Sequence, residues 1–229
     1  MGNRLRRLFT AFSRYRSGKG FGVHSPFAFN YILKVLEEKC PYYAYTEIES
    51  KREKAASMTE RHVLTYGAAK RIFRVVNHSN PEKILQIGSD CGVAAVAALS
   101  VSSRSEMWLC NTGGDAAAYG ILKEYSGRIK FYKSAEDCIG EYASSAGKPF
   151  VIVSSFNESE FEGVYNYLSY VAAKECTIVA CNLSCDTLMA SLWNKVTKSM
   201  TFGMIFTNGK LGIIVCDKKL PLSRYSLWF

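Results

Sequence analysis

The segment Ile84-Leu85-Gln86-Ile87-Gly88-Ser89-Asp90-Cys91-Gly92 runs from apolar residues straight into two glycines four positions apart. Glycine lets a backbone approach a bound molecule closely, and the helix that follows offers N–H groups at its start. That is chemistry for holding a nucleoside or nucleotide, with Gly88, Ser89, Asp90 and Gly92 as the contacting residues. The same spacing also suits a plain strand-to-helix turn without a ligand, and it fits several nucleotide folds. Metal chemistry has less support. The eight cysteines form no CxxC pair; Cys176, Cys181 and Cys185 come nearest to a cluster, with no histidine beside them. Scattered among apolar residues, these thiols read as small hydrophobes of a reducing cytoplasm.

The elements that must position the glycine turn are legible around it. Lys83–Ile87 reads as a strand, Gly88 to Gly92 as a turn, and Val93–Ser100 as a helix. Met107–Cys110, Ile129–Tyr132, Phe150–Val153 and Thr177–Cys181 read as further strands. Helices at Ala116–Tyr125, Ala135–Ala143, Phe161–Ala173 and Thr187–Lys198 alternate with them. This alternation predicts an α/β parallel sheet with helices on both faces. The end departs from it: Met204–Phe206 and Leu211–Cys216 flank Thr207-Asn208-Gly209-Lys210, a hairpin signal in which both Asn208 and Gly209 are expected at positive φ. Upstream, Pro26 opens a helix through about Lys39 with Ser25 as N-cap, Pro41 stops it, and a second helix is expected over Thr59–Val76. The division expected is residues 1–59 as a basic helix and helical cap, and 60–229 as the α/β domain.

The glycine segment resembles the first motif of class I S-adenosylmethionine (SAM)-dependent methyltransferases, which reads hydrophobic-hydrophobic-acid-hydrophobic-Gly-x-x-x-Gly. Gly20-Phe21-Gly22-Val23-His24-Ser25-Pro26-Phe27 is similar to an N-terminal Gly-x-His-Ser-Pro-Phe signature of a bacterial O-methyltransferase-like group. The likeness continues through Pro41-Tyr42-Tyr43, Glu47-Ile48-Glu49, the hairpin and Tyr225-Ser226-Leu227-Trp228-Phe229, covering nearly the whole chain. It implies a Rossmann-like methyltransferase fold with a mostly parallel seven-stranded sheet and an antiparallel C-terminal hairpin. It also implies SAM or S-adenosylhomocysteine (SAH) at Gly88, Ser89, Asp90 and Gly92, and a small-molecule acceptor methylated on oxygen. In the same resemblance Asn111 would meet the ribose and Glu136 the adenine. An exposed acid at a helix start is the plainer role for Glu136. His24 is the titratable candidate for a base, or else a ring that fastens the Pro26 helix to the domain.

The chain departs from that pattern where chemistry is done. Gln86 replaces the acid before the first glycine, and Asn111 replaces the acid ending the second strand. Neutral Ser154-Ser155-Phe156-Asn157 and Cys181-Asn182-Leu183-Ser184 stand where Asp-Gly-x-His and Asp-Asp-x-His segments are expected. Mg²⁺ needs oxygen ligands, usually carboxylates, so no metal is expected; Glu158 and Asp186 are the acids nearest by, and Asp186 reads as a helix cap. The implied functions are therefore two. One is a SAM- or SAH-binding methyltransferase relative. The other is a catalytically inactive scaffold or binding protein of that fold, docked through its basic N-terminal helix.

The formal charge is +9 over 229 residues, and +6 of it lies in the first 20, from Arg4, Arg6, Arg7, Arg14, Arg16 and Lys19. The rest of the chain is only mildly basic, so overall charge does not argue for nucleic acid. Leu5, Leu8, Phe9 and Phe12 fall on one helical face. Such a helix either packs on the domain or holds residues 1–20 against an anionic membrane surface or nucleic acid. Met1-Gly2 begins like a myristoylation site, but Arg6 stands where Ser or Thr is required. The longest apolar stretch, Cys91 to Leu99, is about half of the ~20 residues a membrane span needs. No secretory signal follows the arginine-rich start. With 48% hydrophobic and 21% charged residues, general disorder is excluded. Oligomeric state is not written in the sequence.

Overall fold

The computed structural model describes residues 23–111, 115–145 and 147–229. The basic tail, residues 1–20, and its expected helix therefore lie outside the described residues. Eight strands form one sheet: β1 (Lys83–Ile87), β2 (Glu106–Cys110), β3 (Ile129–Tyr132), β4 (Phe150–Val153), β5 (Cys176–Ala180), β6 (Met204–Thr207), β7 (Gly212–Cys216) and β8 (Ser223–Ser226). Their order is β3-β2-β1-β4-β5-β7-β6-β8. The pairs among β1 to β5 are parallel, β7 runs antiparallel to both β5 and β6, and β8 pairs parallel with β6. The sheet thus has one strand more than the seven expected. Ser-Arg-Tyr-Ser is a short edge strand in which only alternate residues face the core, and that pattern is too brief to stand out in a sequence.

Strand alternation divides the core in two. Ile84, Met107, Leu109, Phe150, Ile152, Val179, Phe206 and Ile213 pack on α1 (Pro26–Tyr31), α2 (Ala44–Met58), α3 (Tyr66–Ser79), α4 (Val93–Leu99) and α5 (Ala116–Leu122). Leu85, Ile87, Trp108, Val151, Val153, Ile178 and Ile214 pack on α6 (Ala135–Ala143), α7 (Phe161–Ala172) and α8 (Thr187–Ser199). Strands buried on both faces carry almost unbroken apolar runs, which is why β1 and β4 coincide with their sequence-predicted limits; the edge strand β3 coincides as well. Caps fix the helix starts: Thr65 Oγ1 accepts from Ala68 N, Ser134 Oγ from Asp137 N, and Asp186 Oδ1 from Leu188 N and Met189 N.

Three expectations change. The Pro26 helix does not run evenly to Lys39; α1 passes into one π-helical turn, Ile32–Leu36. Arg74 of α3 binds the carbonyls of Leu36 and Glu38 where that turn ends. The helix expected over Thr59–Val76 begins only at Tyr66, after the Thr65 cap, and runs on to Ser79, while a further helix that was not expected, α2, occupies Ala44–Met58. In the hairpin turn only Gly209 has positive φ, +87°, while Asn208 takes its hold through its side chain, Oδ1 accepting from Lys210 N and Leu211 N. No helix among the described residues is long and apolar enough to cross a membrane.

Candidate functional site

The glycine turn lies at the carboxyl end of β1, beside the β1/β4 boundary where strand order reverses, the place open α/β sheets use for ligands. Its backbone is unusual: Gly88 has φ +85°, Asp90 +46°, Cys91 +53° and Gly92 +83°. Two of these are not glycine, so the surroundings must hold the turn in place. Gln86, fully buried, does part of this by donating from Nε2 to the carbonyls of Gly88 (2.9 Å) and Ser89 (3.3 Å). A carboxylate at this position could not donate to them. The exchange of acid for amide therefore turns this position inward, to hold the turn.

Asp115, which sequence reasoning missed, is the second fastening. Its Oδ1 accepts from Ala117 N and Ala118 N, capping α5. Its Oδ2 accepts from Ser89 Oγ (2.9 Å) and Cys91 N (3.2 Å). The signal was an Asp immediately before an Ala-rich helix. Asn111 is nearly buried, and its Oδ1 accepts from Asp115 N at 3.2 Å.

A crevice of about 210 Å³ opens beside this network. Gly88, Ser89, Asn111 and Asp115 line one side; Ser155, Phe156 and Asn157, from the loop after β4, line the other, and Arg61 closes an edge. Sequence reasoning missed Arg61 too, because it precedes α3 without any motif. Above Gly88 itself the cradle is filled by the chain: a Cβ there would stand 2.2 Å from Ser155 O and 2.5 Å from its N. Ser154 Oγ donates to Gly88 O at 2.9 Å and fixes that approach.

Asp90 points away from the crevice, toward the loop after β5. Its Oδ1 accepts from Asn182 Nδ2 (3.3 Å), which also donates to Ser154 O (3.2 Å). Its Oδ2 is buried without a hydrogen-bond partner. Burial pushes the carboxyl up to about 7, the Asn182 hydrogen bond pulls it down, and the Asp115 charge adds to the rise.

Two candidates stand elsewhere. His24 is exposed ahead of α1, whose Phe27 and Tyr31 line a different cavity, of about 500 Å³, at the amino-terminal edge of β1 and β4. Exposed Glu136 lines a groove between α6 and α7 with Ser134, Ile139 and Glu160. The structure brings together Gly88, Ser89 and Asn111, with Gly92 one turn behind against Leu122, and it does not bring His24 or Glu136 to them. Among the described residues no group of three His, Cys, Asp or Glu side chains could hold a metal ion. Asp186 is engaged as the α8 cap, and Glu158 is exposed at the turn before α7.

No protein-family model matches the sequence, and no curated protein matches it either. Solved structures do resemble it. An O-methyltransferase from Bacillus cereus, in complex with SAH, has a TM-score of 0.56 at 13% identity, over 81% of this chain and 96% of that one. A methyltransferase from Geobacter sulfurreducens gives 0.57 at 14%, over 84% and 96%. The SAH-bound methyltransferase PaMTH1 of Podospora anserina gives 0.57 at 11%, over 86% and 98%.

Proposed function

We propose that this chain, whose architecture is the Rossmann-like methyltransferase fold, binds SAM or SAH in the crevice beside Gly88. The observation that carries the reading is the turn itself, positive φ at both glycines at the carboxyl end of β1, opening onto a crevice with an aromatic ring and unspent polar groups. The residues fit a nucleoside. Phe156 offers a half-buried ring for a base to stack on, Arg61 and Asn157 offer exposed donors, and Asn111 and Ser89 offer polar edges for ribose hydroxyls. They fit the remainder of the cofactor only if the Ser155 backbone lifts from Gly88. When bound, SAM would supply an electrophilic methyl group. The chain's own part is to hold and orient the nucleoside; among the crevice's lining side chains none is placed as a base, since both Asp115 oxygens are occupied by backbone and Ser89 donors.

A second reading, a scaffold that has lost the cofactor, is favoured by the same Ser155–Gly88 contact. Titration calorimetry with SAM, SAH and adenosine separates the two. Saturable SAH binding that weakens about tenfold in Arg61→Ala or Asn157→Ala supports the nucleoside crevice. No heat with SAM or SAH at millimolar concentration supports the scaffold. A small-molecule acceptor and a cytoplasmic setting belong to the same proposal. The latter is supported by the lack of any disulfide among the eight cysteines, six of them buried.

A further inference from the structure

A second pocket of about 210 Å³ lies at the same edge of the sheet, over the end of β5 and the hairpin turn. It adjoins the crevice through consecutive residues, Arg61 lining one and His62 the other, and through Asn182, which reaches back to Asp90. Its walls are of two kinds. Leu64, Leu211 and the Phe229 ring are apolar, while Arg71, Lys210 and His62 bring basic groups.

Neither Arg71 nor Lys210 takes part in an ion pair among the described residues, and no acidic side chain lines the pocket. Arg71 is the anchor. Its Nη1 donates to Gly67 O at 2.8 Å, its guanidinium carbon is 5.5 Å from the centre of the Phe229 ring, and its Nε is buried without a partner. Burial and nearby Arg74 lower its pKa, while Glu37 opposes them. Arg71 is a cation half-buried against an aromatic ring that shares the cavity with Lys210, and its acidic neighbour Glu37 does not line that cavity, so the cavity itself offers two cations and no acidic side chain. The volume is below the ~300 Å³ of ordinary ligand pockets and suits one ring or a short chain.

We infer that this pocket binds a small organic acid, its carboxylate between Arg71 and Lys210 and its apolar body against Leu64, Leu211 and Phe229. The inference deepens the function proposed above, and rests on it, in making this acid the molecule that lies beside the nucleoside. Binding of the acid does not itself require the cofactor.

The test uses the full chain and benzoate as probe, with benzamide as its neutral isostere, read by ligand-observed NMR at low salt and repeated with SAH. Benzoate is expected to bind about tenfold tighter than benzamide, and Lys210→Gln to weaken it about fivefold. Arg71→Gln is expected to weaken it further; because Arg71 also holds α3, the exposed Lys210 variant keeps the test independent of folding. Equal affinity for benzamide, no binding at ~10 mM benzoate, or an unchanged affinity in Lys210→Gln would overturn the inference. Benzoate bound without any SAH binding would remove the nucleoside reading and leave the acid site standing. SAH bound without benzoate would do the reverse.

Discussion

Asp90 is an acid held where its charge is unwelcome, and this has a sign. Its carboxyl is pushed from 3.8 to about 7 by burial, so the folded protein prefers the protonated form. The stability this gives is full below about pH 4 and is lost as pH rises through 7. Asp90→Asn, which keeps the contact to Asn182 and tolerates positive φ, should remove that loss and stabilise the protein at pH 8 by on the order of 2–4 kcal/mol. Urea unfolding at pH 5 and pH 8 reads it directly; equal gains at both would show that Asp90 is not the titrating group. Gly88 makes a different demand. Gly88→Ala would place a methyl group against the Ser155 backbone at φ +85° and should cost about 3 kcal/mol, measured the same way. A binding defect in that variant would therefore say little about a ligand, which is why Arg61 and Asn157 are the residues to change.

Helix α1 is fastened by rings. Tyr31 stacks on Phe27 (5.7 Å) and on Phe206 of β6 (5.1 Å), and Phe206 stacks on Tyr225 of β8 (5.3 Å). The Tyr31 hydroxyl is buried with no hydrogen-bond partner, so the column is held by ring contact alone. Tyr31→Ala should cost about 3–5 kcal/mol, whereas Tyr31→Phe should be neutral or stabilising by up to ~1 kcal/mol; thermal melts of the pair distinguish packing from a hidden polar role. The elements that the sequence revealed well were those with long apolar periods, such as the β1 to β5 strands and α6 to α8. Helix α2 escaped notice because only Ile48 and Ala55 of its fifteen residues are buried, which leaves a mostly charged surface without a clear face. The site was legible only in part. Gly88 and Ser89 lie in a local motif, but Arg61, Asp115 and Asn182 reach the turn from three other segments, and no local pattern records such meetings. Gln86 could be seen to differ from an acid, yet its role as a donor to the Gly88 and Ser89 carbonyls needed coordinates.

Across the molecule, both small pockets proposed as ligand sites lie at the carboxyl edge of the sheet. The loops after β4 and β5 reach that edge with Ser154, Asn157, Asn182 and Ser184, neutral oxygens that rarely hold Mg²⁺ without carboxylates. Calorimetric titration with Mg²⁺ or Mn²⁺, with and without SAH, should therefore show no saturable micromolar binding. Binding that vanishes in Asp186→Asn or Glu158→Gln would reverse this. The +6 tail is a separate question of the whole chain. Deleting residues 1–16 should lower stability and leave anionic-liposome and nucleic-acid retention equally weak. A salt-sensitive association that disappears with the deletion would instead make the tail a docking arm.

The contact between Ser155 and Gly88 also sets a clock. A cofactor extending over Gly88 has to wait until the Ser155 carbonyl moves aside, so its arrival divides into an opening step and a capture step. In stopped-flow mixing with SAH, the observed rate should climb with concentration and then level off at the opening rate. Adenosine, with its base beside Phe156 and Arg61 and its ribose at Asn111 and Ser89, would bypass that step and should keep a straight line. On the proposed reading, the same closure would lower the apparent affinity for SAH by the fraction of molecules that are open, and would leave that for adenosine untouched.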